Sequence, residues 1–301
     1  MSVTFTIRAA RFDEVEAVAE LLNEHSQRLH GVDSETPEDL RLYWESPEVD
    51  FDHDVLVAEG DGSLVGYADL GIWGEHVWLD VRGVEADALP SLLAEIEARA
   101  SERKPGAHLL GYANESDDLV RDAYERAGYQ VIRHSFRMEI DLDAPPPEPQ
   151  WPEGVSVRTM QAGEERRVYE AHMESFADAW MFAPQPFEHW RHWFVTDTGF
   201  DPTLWYLAEA REELAGILIS KASGSEPGLG WVRILGVVPA HRRQGIAQAL
   251  LQHAFCDFWR RGFRRVGLGV DAQSPTGAVR LYERAGMHVA RTSLQLEKVQ
   301  E

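Results

Sequence analysis

The feature that most constrains this chain is an internal repeat. The segment Tyr124-Glu-Arg-Ala-Gly128 recurs 158 residues later as Tyr282-Glu-Arg-Ala-Gly286, and Ala58-Glu59 recurs 150 residues later as Ala208-Glu209. Matches that keep their order along the chain indicate a duplicated structural unit rather than chance identities. Because a unit of roughly 150 residues is the size of one domain, the 301 residues predict two related domains.

A proline-rich segment separates the two copies. Residues 144–152 read Ala-Pro-Pro-Pro-Glu-Pro-Gln-Trp-Pro, and proline fixes φ and cannot donate to a helix or a sheet. We therefore predict a first domain over residues 1–143, a semi-rigid linker over 144–153 and a second domain over 154–301. The second copy is eight residues longer, and its glycine-rich stretch within 220–231 predicts a long hairpin connection that holds them.

Both copies alternate short strands with helices. Each begins with a strand, near residues 5–8 and 155–158, and continues with a helical segment and a pair of alternating strands around a turn. In the second copy, apolar residues at 247, 250, 251, 254, 255 and 258 predict a helix that buries one stripe. This order predicts an α/β fold, with α+β character and a mixed sheet.

The charge distribution is strongly asymmetric. Of the net charge of −22, residues 1–150 carry −21 and residues 151–301 carry −1. An acidic total argues against nucleic acids and anionic membranes as partners. No apolar run reaches the roughly 18 residues of a membrane helix, and the first residues do not resemble a secretory signal. Because Cys256 is the only cysteine, no internal disulfide can form, so we expect a reducing, cytoplasmic location.

The most informative segment is Val237-Val-Pro-Ala-His-Arg-Arg-Gln-Gly-Ile-Ala247, where a strand ends and a helix begins. The first N–H groups of a helix are unpaired and carry about half a positive charge, so a helix start can bind phosphate. Gly245 allows a ligand to approach the backbone, and Arg242 and Arg243 add charge and hydrogen-bond donors. The segment therefore predicts a pyrophosphate site.

These residues resemble a known family. Arg242-x-x-Gly245-x-Ala247 after a strand resembles the acetyl-CoA motif of the GNAT N-acetyltransferase superfamily, and Leu281–Gly286 resembles that family's second conserved region. Together with the strand order over 155–297, the chain resembles the tandem GNAT proteins, a group that includes the mycothiol synthases. The resemblance implies an α/β fold of two tandem GNAT-like acyl-CoA N-acyltransferase domains, of which the first is degenerate.

The resemblance also implies roles for residues of the second copy. Backbone groups of Val237 and Val238 would pair with the pantetheine arm of acetyl-CoA, and Tyr282 would protonate the leaving thiolate. The asparagine found in many family members seven residues before the tyrosine is Pro275 here, so Ser274 is expected to contact the cofactor or cap the helix. The predicted cofactor-binding residues are Val237, Val238, Arg242, Arg243, Gln244, Gly245, Ile246, Ala247, Ser274 and Tyr282.

The acceptor side is expected to involve the aromatic residues of segment 175–194, because the matching helix–loop–helix lines the acceptor pocket in this family. Asp178 and Glu174 are the candidate catalytic carboxylates, suited to attract an amine or take its proton. The alternative is that these aromatic residues only pack in the core or at a domain interface. His189 and His192 have no evident third ligand, so no metal site is predicted.

The sequence thus predicts an N-acetyltransferase that moves acetyl directly from acetyl-CoA to a primary amine of a small molecule or peptide, with the second copy catalytic. Two alternatives stay open: a mycothiol-type aminosugar acetyltransferase, and a CoA-binding regulatory or resistance protein without turnover. The first copy is expected not to bind acetyl-CoA, because Glu85 and Asp87 stand opposite Arg243 and Gly245 at the offset of 158. Sheet edges leave room for a homodimer.

Overall fold

The computed structural model describes residues 5–298, which divide into two compact units. Within the described residues, unit 1 comprises 5–135 together with 291–298, and unit 2 comprises 136–290. The strands are β1 Thr6–Ala9, β2 Val55–Gly60, β3 Ser63–Trp73, β4 His76–Gly83, β5 His108–Asn114, β6 Tyr129–Asp141, β7 Val155–Thr159, β8 Trp205–Ala210, β9 Glu213–Ala222, β10 Leu229–Val237, β11 Arg265–Asp271 and β12 His288–Lys298. The helices are α1 Val15–His30, α2 Pro37–Trp44, α3 Phe51–Asp54, α4 Leu89–Arg103, α5 Asp118–Arg126, α6 Glu165–Phe176, α7 Phe187–Val195, α8 Ile246–Arg260 and α9 Ala278–Arg284.

Unit 1 is a mixed sheet with helices on both faces. Its strands lie in the order β1-β2-β3-β4-β5-β12, and β4 and β5 are its parallel pair. On one face, Leu92 and Ile96 of α4 pack into a fully buried cluster with the sheet. On the other face, Val18 and Leu22 of α1 do the same. The two helix layers explain why strands β2 and β3 are apolar on both sides.

Unit 2 repeats this arrangement. Its strands lie in the order β6-β11-β10-β9-β8-β7, with β10 and β11 parallel. Helix α8 buries the predicted stripe, including Leu250, Phe255 and Phe258, so the spacing argument for this helix is confirmed. The mixed α/β architecture predicted for both copies is confirmed as well.

The two units do not coincide with the two halves of the sequence, because the last strand of each half lies in the sheet of the other unit. Residues Ser293–Glu297 of β12, at the end of the second half, pair antiparallel with Leu110–Asn114 of β5 in unit 1. In unit 2, the later part of β6 lies beside β11, and the Leu142 N–H donates to the Arg264 carbonyl at 2.8 Å. Each half therefore contributes its last strand to the sheet of the other unit.

The proline-rich segment belongs to unit 2, where it packs along α8. The Cys256 sulfur lies 3.5 Å from the Pro147 carbonyl oxygen, and the Trp151 ring meets the His253 ring edge-on at 6.0 Å. Near the start of the helix, the closest atom to a Cβ built on Gly245 is Cγ of Pro152, at 3.9 Å. The segment thus follows α8 towards its N-terminus.

The extra residues of the second copy are not all where the sequence placed them. The connection between β9 and β10 has six residues against two between β3 and β4, so part of the difference lies there. The loop before α8, residues 238–245, has eight residues, whereas the loop before α4, residues 84–88, has five. The expectation that all eight lie within 220–231 is therefore wrong. As a consequence, Glu85 and Asp87 belong to a shortened loop rather than standing residue by residue opposite Arg243 and Gly245.

Within residues 5–298, every helix is too short or too polar to cross a bilayer.

Candidate active site

Strand β10 separates from its parallel neighbour partway along its length. Pairing with β11 runs from Leu229–Arg265 to Val232–Leu268, and it ends there. At this point the register of β10 against β9 shifts between Val232 and Ile234, which marks a β-bulge at Arg233. Beyond the bulge, β10 stays paired with β9 as far as Val237. The opposite edge of residues 233–237 is left open, with no β11 partner among the described residues.

Alternation along the strand decides which backbone groups face this open edge. The Val238 N–H donates to the Ala215 carbonyl at 3.0 Å, and its carbonyl accepts from the His241 N–H at 2.9 Å. In an antiparallel pair the groups of every second residue point to the partner strand, so those of Val237 and Leu235 point away from β9. The backbone of Val238 is thus already paired. The backbone groups of Leu235, which the sequence analysis missed, face the open edge, as the sequence analysis expected of Val238.

The loop before α8 has the geometry of an anion site. Arg243 has φ +64° and Gly245 has φ +90°, and Gly245 is the N-cap of α8 without a side-chain cap. Over the described chain, the N–H groups of residues 243–247 meet no protein acceptor. A Cβ built on Gly245 would meet only Cγ of Pro152, at an ordinary contact distance of 3.9 Å. Five unpaired N–H groups at a helix start, with Arg243 exposed beside them, fit a pyrophosphate.

Arg242 is engaged elsewhere. Its guanidinium forms a two-pronged ion pair with Asp178, at 2.5 and 2.9 Å, and donates to the carbonyls of Ser175 at 3.0 Å and Val237 at 3.2 Å. The same hydrogen bond holds the pKa of Asp178 below its usual range and raises that of Arg242. A carboxylate held this way is a weak base, which argues against Asp178 as the group that takes the amine proton.

Glu174, the other candidate carboxylate, lies exposed near the end of α6. No ion pair or side-chain hydrogen bond of Glu174 exists among residues 5–298. Of the two predicted carboxylates it is the one available to exchange a proton.

Tyr282 lies on α9 in the core of unit 2. It is 7% exposed, and burial raises its pKa to about 12. Within the described chain its hydroxyl makes no hydrogen bond. Ser274 is in the turn before this helix, where its hydroxyl pairs with that of Thr276 at 2.9 Å, and the N-cap of α9 is Gly277. Ser274 therefore does not cap the helix, and its contact with the cofactor stays a prediction.

The aromatic segment packs against a buried histidine on α6, His172, that sequence reasoning missed. Trp190 is fully buried on α7, and its indole N–H donates to Nδ1 of His172 on α6 at 2.9 Å. Because an indole N–H can only donate, Nδ1 of His172 must accept and its proton resides on Nε2. The rings of Phe176 and Phe194 flank the imidazole at 5.1 and 5.7 Å. Part of the aromatic segment is therefore core packing, as in the alternative interpretation.

His172 should make stability depend on pH. Burial, with the nearby positive charge of Arg233, lowers its pKa from 6.5 to about 4. Between these values the unfolded chain binds a proton that the folded chain does not, so the free energy of unfolding falls as the pH falls. We expect this residue to account for about 2 kcal/mol of the loss between pH 7 and pH 5. Urea unfolding of the wild type and His172→Gln at both pH values measures it, and an equal loss in the variant would contradict the assignment.

The corresponding place in unit 1 has a shorter unpaired edge, because only residues 81–83 of β4 extend beyond its pairing with β5. Strand β4 runs against β3 without a register shift and pairs with β5 as far as Asp80–Tyr112. The Tyr124 hydroxyl, fully buried, donates to the Leu79 carbonyl at 2.7 Å. Its ring occupies the space over Gly111, where a Cβ would come within 2.5 Å. In unit 2 the residue that faces Val232 across the strand pair is Leu268 and not a glycine.

A second contact ties the same region together. Nε2 of His25 on α1 lies 2.7 Å from Oδ2 of Asp117, and both residues are buried. The other oxygen of Asp117 accepts from the Val120 N–H and caps α5. The fold of unit 1 thus joins α1 to the start of α5 through side chains. In unit 2, Ser175 corresponds to His25 at the offset of 150, and its hydroxyl donates to the His172 carbonyl.

Removing the Tyr124 hydroxyl should affect stability and not catalysis. In Tyr124→Phe the buried Leu79 carbonyl loses its partner, so we expect the free energy of unfolding to drop by about 1–3 kcal/mol. Acetyl-transfer rates should equal those of the wild type. Urea unfolding and a steady-state assay on the same preparations check both statements, and a variant that lost turnover but kept its stability would refute them.

Comparison with known proteins shows which family the chain belongs to. Residues 166–287 match the family model of the Acetyltransferase (GNAT) family. The solved GCN5-related N-acetyltransferase from Sphaerobacter thermophilus is 30% identical, with a TM-score of 0.79 over 99% of this chain and 96% of that one. A tandem GNAT protein from the clavulanic acid biosynthesis pathway covers 100% of both chains with a TM-score of 0.73 at 14% identity, and so has the same fold. The chain belongs to the GNAT family: it is an acetyltransferase built from two GNAT-like domains, and acetyl-CoA is its co-substrate.

Within this family, the similar curated relatives are mycothiol acetyltransferases. The one from Streptomyces bingchenggensis is 30% identical over 264 residues, which is 80% of each chain. The one from Thermobispora bispora is 33% identical over 181 residues, 56% of this chain and 59% of that relative. Each of these matches is longer than one copy of the repeat and so includes part of both copies.

Proposed function

We propose that unit 2 transfers the acetyl group of acetyl-CoA directly to a primary amine of a small molecule or peptide, and that unit 1 binds no acetyl-CoA. The observation that carries this proposal is the open edge of β10 over residues 233–237, followed after the loop 238–245 by the uncapped start of α8. In unit 1, β4 keeps its register, only residues 81–83 extend beyond its pairing with β5, and the loop before α4 is three residues shorter than the loop before α8.

The residues of unit 2 fit the two ends of acetyl-CoA. The N–H groups of residues 243–247 would hold the pyrophosphate, and the outward-facing backbone of Leu235 together with the Val237 N–H would pair with the pantetheine arm as an added strand does. A backbone N–H on this edge would also donate to the thioester carbonyl oxygen as negative charge develops there. Arg243 supplies positive charge at the loop.

Proton movements can be assigned to two side chains. As the amine attacks the carbonyl carbon and the C–S bond breaks, the Tyr282 hydroxyl would donate its proton to the departing sulfur. Its high pKa keeps it protonated at neutral pH, so the proton is present when the sulfur leaves. Glu174 would accept the proton that the amine loses, directly or through water.

One binding site per chain is the central expectation. Isothermal titration of the full chain with acetyl-CoA should give a stoichiometry near one, since unit 1 has a shorter open edge without the bulge and lacks the longer loop. Release of CoA, followed with a thiol reagent against a panel of amines, should then show amine-dependent turnover. A stoichiometry near two would overturn the assignment to unit 2, and binding without turnover with any amine would favour a CoA-binding regulatory or resistance protein.

A mycothiol-type aminosugar amine is the second candidate acceptor. It is favoured by the curated relatives, which are named mycothiol acetyltransferases and match across both halves of the chain. The same panel should include an amine on an inositol-linked aminosugar scaffold. A selectivity for this amine of at least about 100-fold over simple primary amines would decide for the aminosugar.

A further inference from the structure

Arg242 joins the end of β10 to the end of α6, which lies 64 to 67 residues earlier in the chain. Its Nε donates to the carbonyl of Val237 at the end of β10, and one terminal nitrogen donates to the carbonyl of Ser175 in α6. Both terminal nitrogens reach Asp178, just beyond that helix. The guanidinium therefore connects the last residue of the open strand with residues 177–186, the connection between α6 and α7.

Most of the N–H groups of the Arg242 guanidinium are already used by protein acceptors, so few remain to bind a ligand. A guanidinium has five N–H groups. The four hydrogen bonds to Val237, Ser175 and Asp178 use four of them. The fifth N–H is on the terminal nitrogen that binds Asp178 but not Ser175. Arg242 can therefore offer a pyrophosphate one N–H at most while these contacts persist. Arg243, next in the chain, is exposed and faces no such competition.

The connection itself is fixed at both ends. At its start, Asp178 binds Arg242, and near its end the carbonyl of Gln185 accepts from the Tyr169 hydroxyl at 2.6 Å. Between them the chain makes two tight turns, with the Ala179 N–H donating to Phe176 and the Phe182 N–H to Ala179. An exposed ion pair alone contributes little, but the two-pronged geometry and two carbonyl partners make this contact directional.

We propose that Arg242 is a positioning residue that transmits acetyl-CoA binding to the α6–α7 connection. Acetyl-CoA held at residues 243–247 fixes the loop that carries Arg242, and Arg242 in turn fixes Asp178. The connection that the amine must approach is then ordered when acetyl-CoA is present, and less ordered when it is absent. Asp178 serves this contact and takes no proton. The inference rests on the proposed acetyl-CoA site in unit 2.

Hydrogen–deuterium exchange of the full chain, with and without saturating acetyl-CoA, tests this coupling. In the wild type, acetyl-CoA should slow exchange at least threefold both in residues 239–247 and in residues 177–186. In Asp178→Asn the loop should still respond, the connection should not, and the acetyl-CoA Kd from titration should stay within about threefold of the wild type. Asp178→Glu, which keeps the carboxylate, should restore the response of the connection.

Two further variants separate coupling from binding. Arg243→Gln should weaken acetyl-CoA binding, yet the connection should respond normally once acetyl-CoA is saturating. Glu188→Gln, an exposed carboxylate on α7 away from Arg242, is the matched control and should behave as the wild type. If the connection responds in Asp178→Asn as in the wild type, or stays unchanged in the wild type while acetyl-CoA binds, the coupling is overturned. If the wild type binds no acetyl-CoA, the proposed function is overturned and the inference with it.

Discussion

Tyr282→Phe is expected to lower turnover by about 10²–10⁴-fold, the usual contribution of a positioned general acid. The change removes one hydroxyl and keeps the ring that packs in the core of unit 2, so the fold and acetyl-CoA affinity should be preserved. The hydroxyl makes no hydrogen bond among the described residues, which means that no protein partner loses a contact. The measurements are kcat with a thiol reagent and the acetyl-CoA Kd by titration.

The duplicated fold provides the matched control for this variant. Tyr124 occupies the corresponding helix of unit 1, and its hydroxyl is spent on the Leu79 carbonyl. Tyr124→Phe should therefore lose stability and keep turnover, whereas Tyr282→Phe should lose turnover and keep stability. With a pKa of about 12, Tyr282 should also produce no alkaline loss of kcat below about pH 11. If kcat of Tyr282→Phe stays within threefold of the wild type, the acid role is excluded.

Gly245→Asp should abolish tight acetyl-CoA binding. The new carboxylate would stand at the start of α8, among the N–H groups that would hold the pyrophosphate, and could accept from them itself. Repulsion of about 3 kcal/mol between the carboxylate and the pyrophosphate corresponds to a fall in affinity of about 100-fold or more. Aspartate is a favourable N-cap and tolerates left-handed φ better than most residues, so the helix should remain folded. Titration calorimetry and thermal unfolding measure the two effects separately.

The other end of the same helix offers a control of nearly identical strain. Gly262 has φ +91°, against +90° for Gly245; a Cβ on Gly262 meets no neighbour within 4 Å, and one on Gly245 meets only Cγ of Pro152 at 3.9 Å. Gly262→Asp places the same side chain on the same backbone conformation, at the helix end where a negative charge is unfavourable. We expect it to be the less stable of the two variants and to bind acetyl-CoA normally. Equal affinity in both variants would place the pyrophosphate elsewhere.

Local patterns in the sequence were sufficient for most of the fold. The stripe on α8, the alternating strands and the repeated segment before Gly128 and Gly286 depend on short-range periodicity, which the structure keeps. The short helices α2 and α3 escaped because a few turns give too little periodicity to recognise. The strand exchange was not predicted for a different reason. The sequence of a terminal strand does not indicate which sheet it will join, since either sheet offers the same backbone hydrogen bonds.

The site was predictable as a motif but not as a set of contacts. Glycine before a helix predicts unpaired N–H groups wherever it occurs, so the loop around Gly245 could be found from sequence. Whether Arg242 faces a phosphate or Asp178 depends on where α6 ends in space, 64 residues earlier in the chain. Leu235 was missed because the residues that face an open edge alternate, and the bulge at Arg233 sets the phase of that alternation.

The placement of β12 has a consequence for synthesis on the ribosome. Domains generally fold as they emerge, the N-terminal one first. Here the sheet of unit 1 is completed by residues 291–298, and Leu294 and Leu296 enter its core at 5% and 0% exposure. The sheet of unit 1 therefore cannot be completed before residues 291–298 have been translated. Until then β5 presents an unpaired edge, so a nascent or prematurely terminated chain would expose a strand open to aggregation.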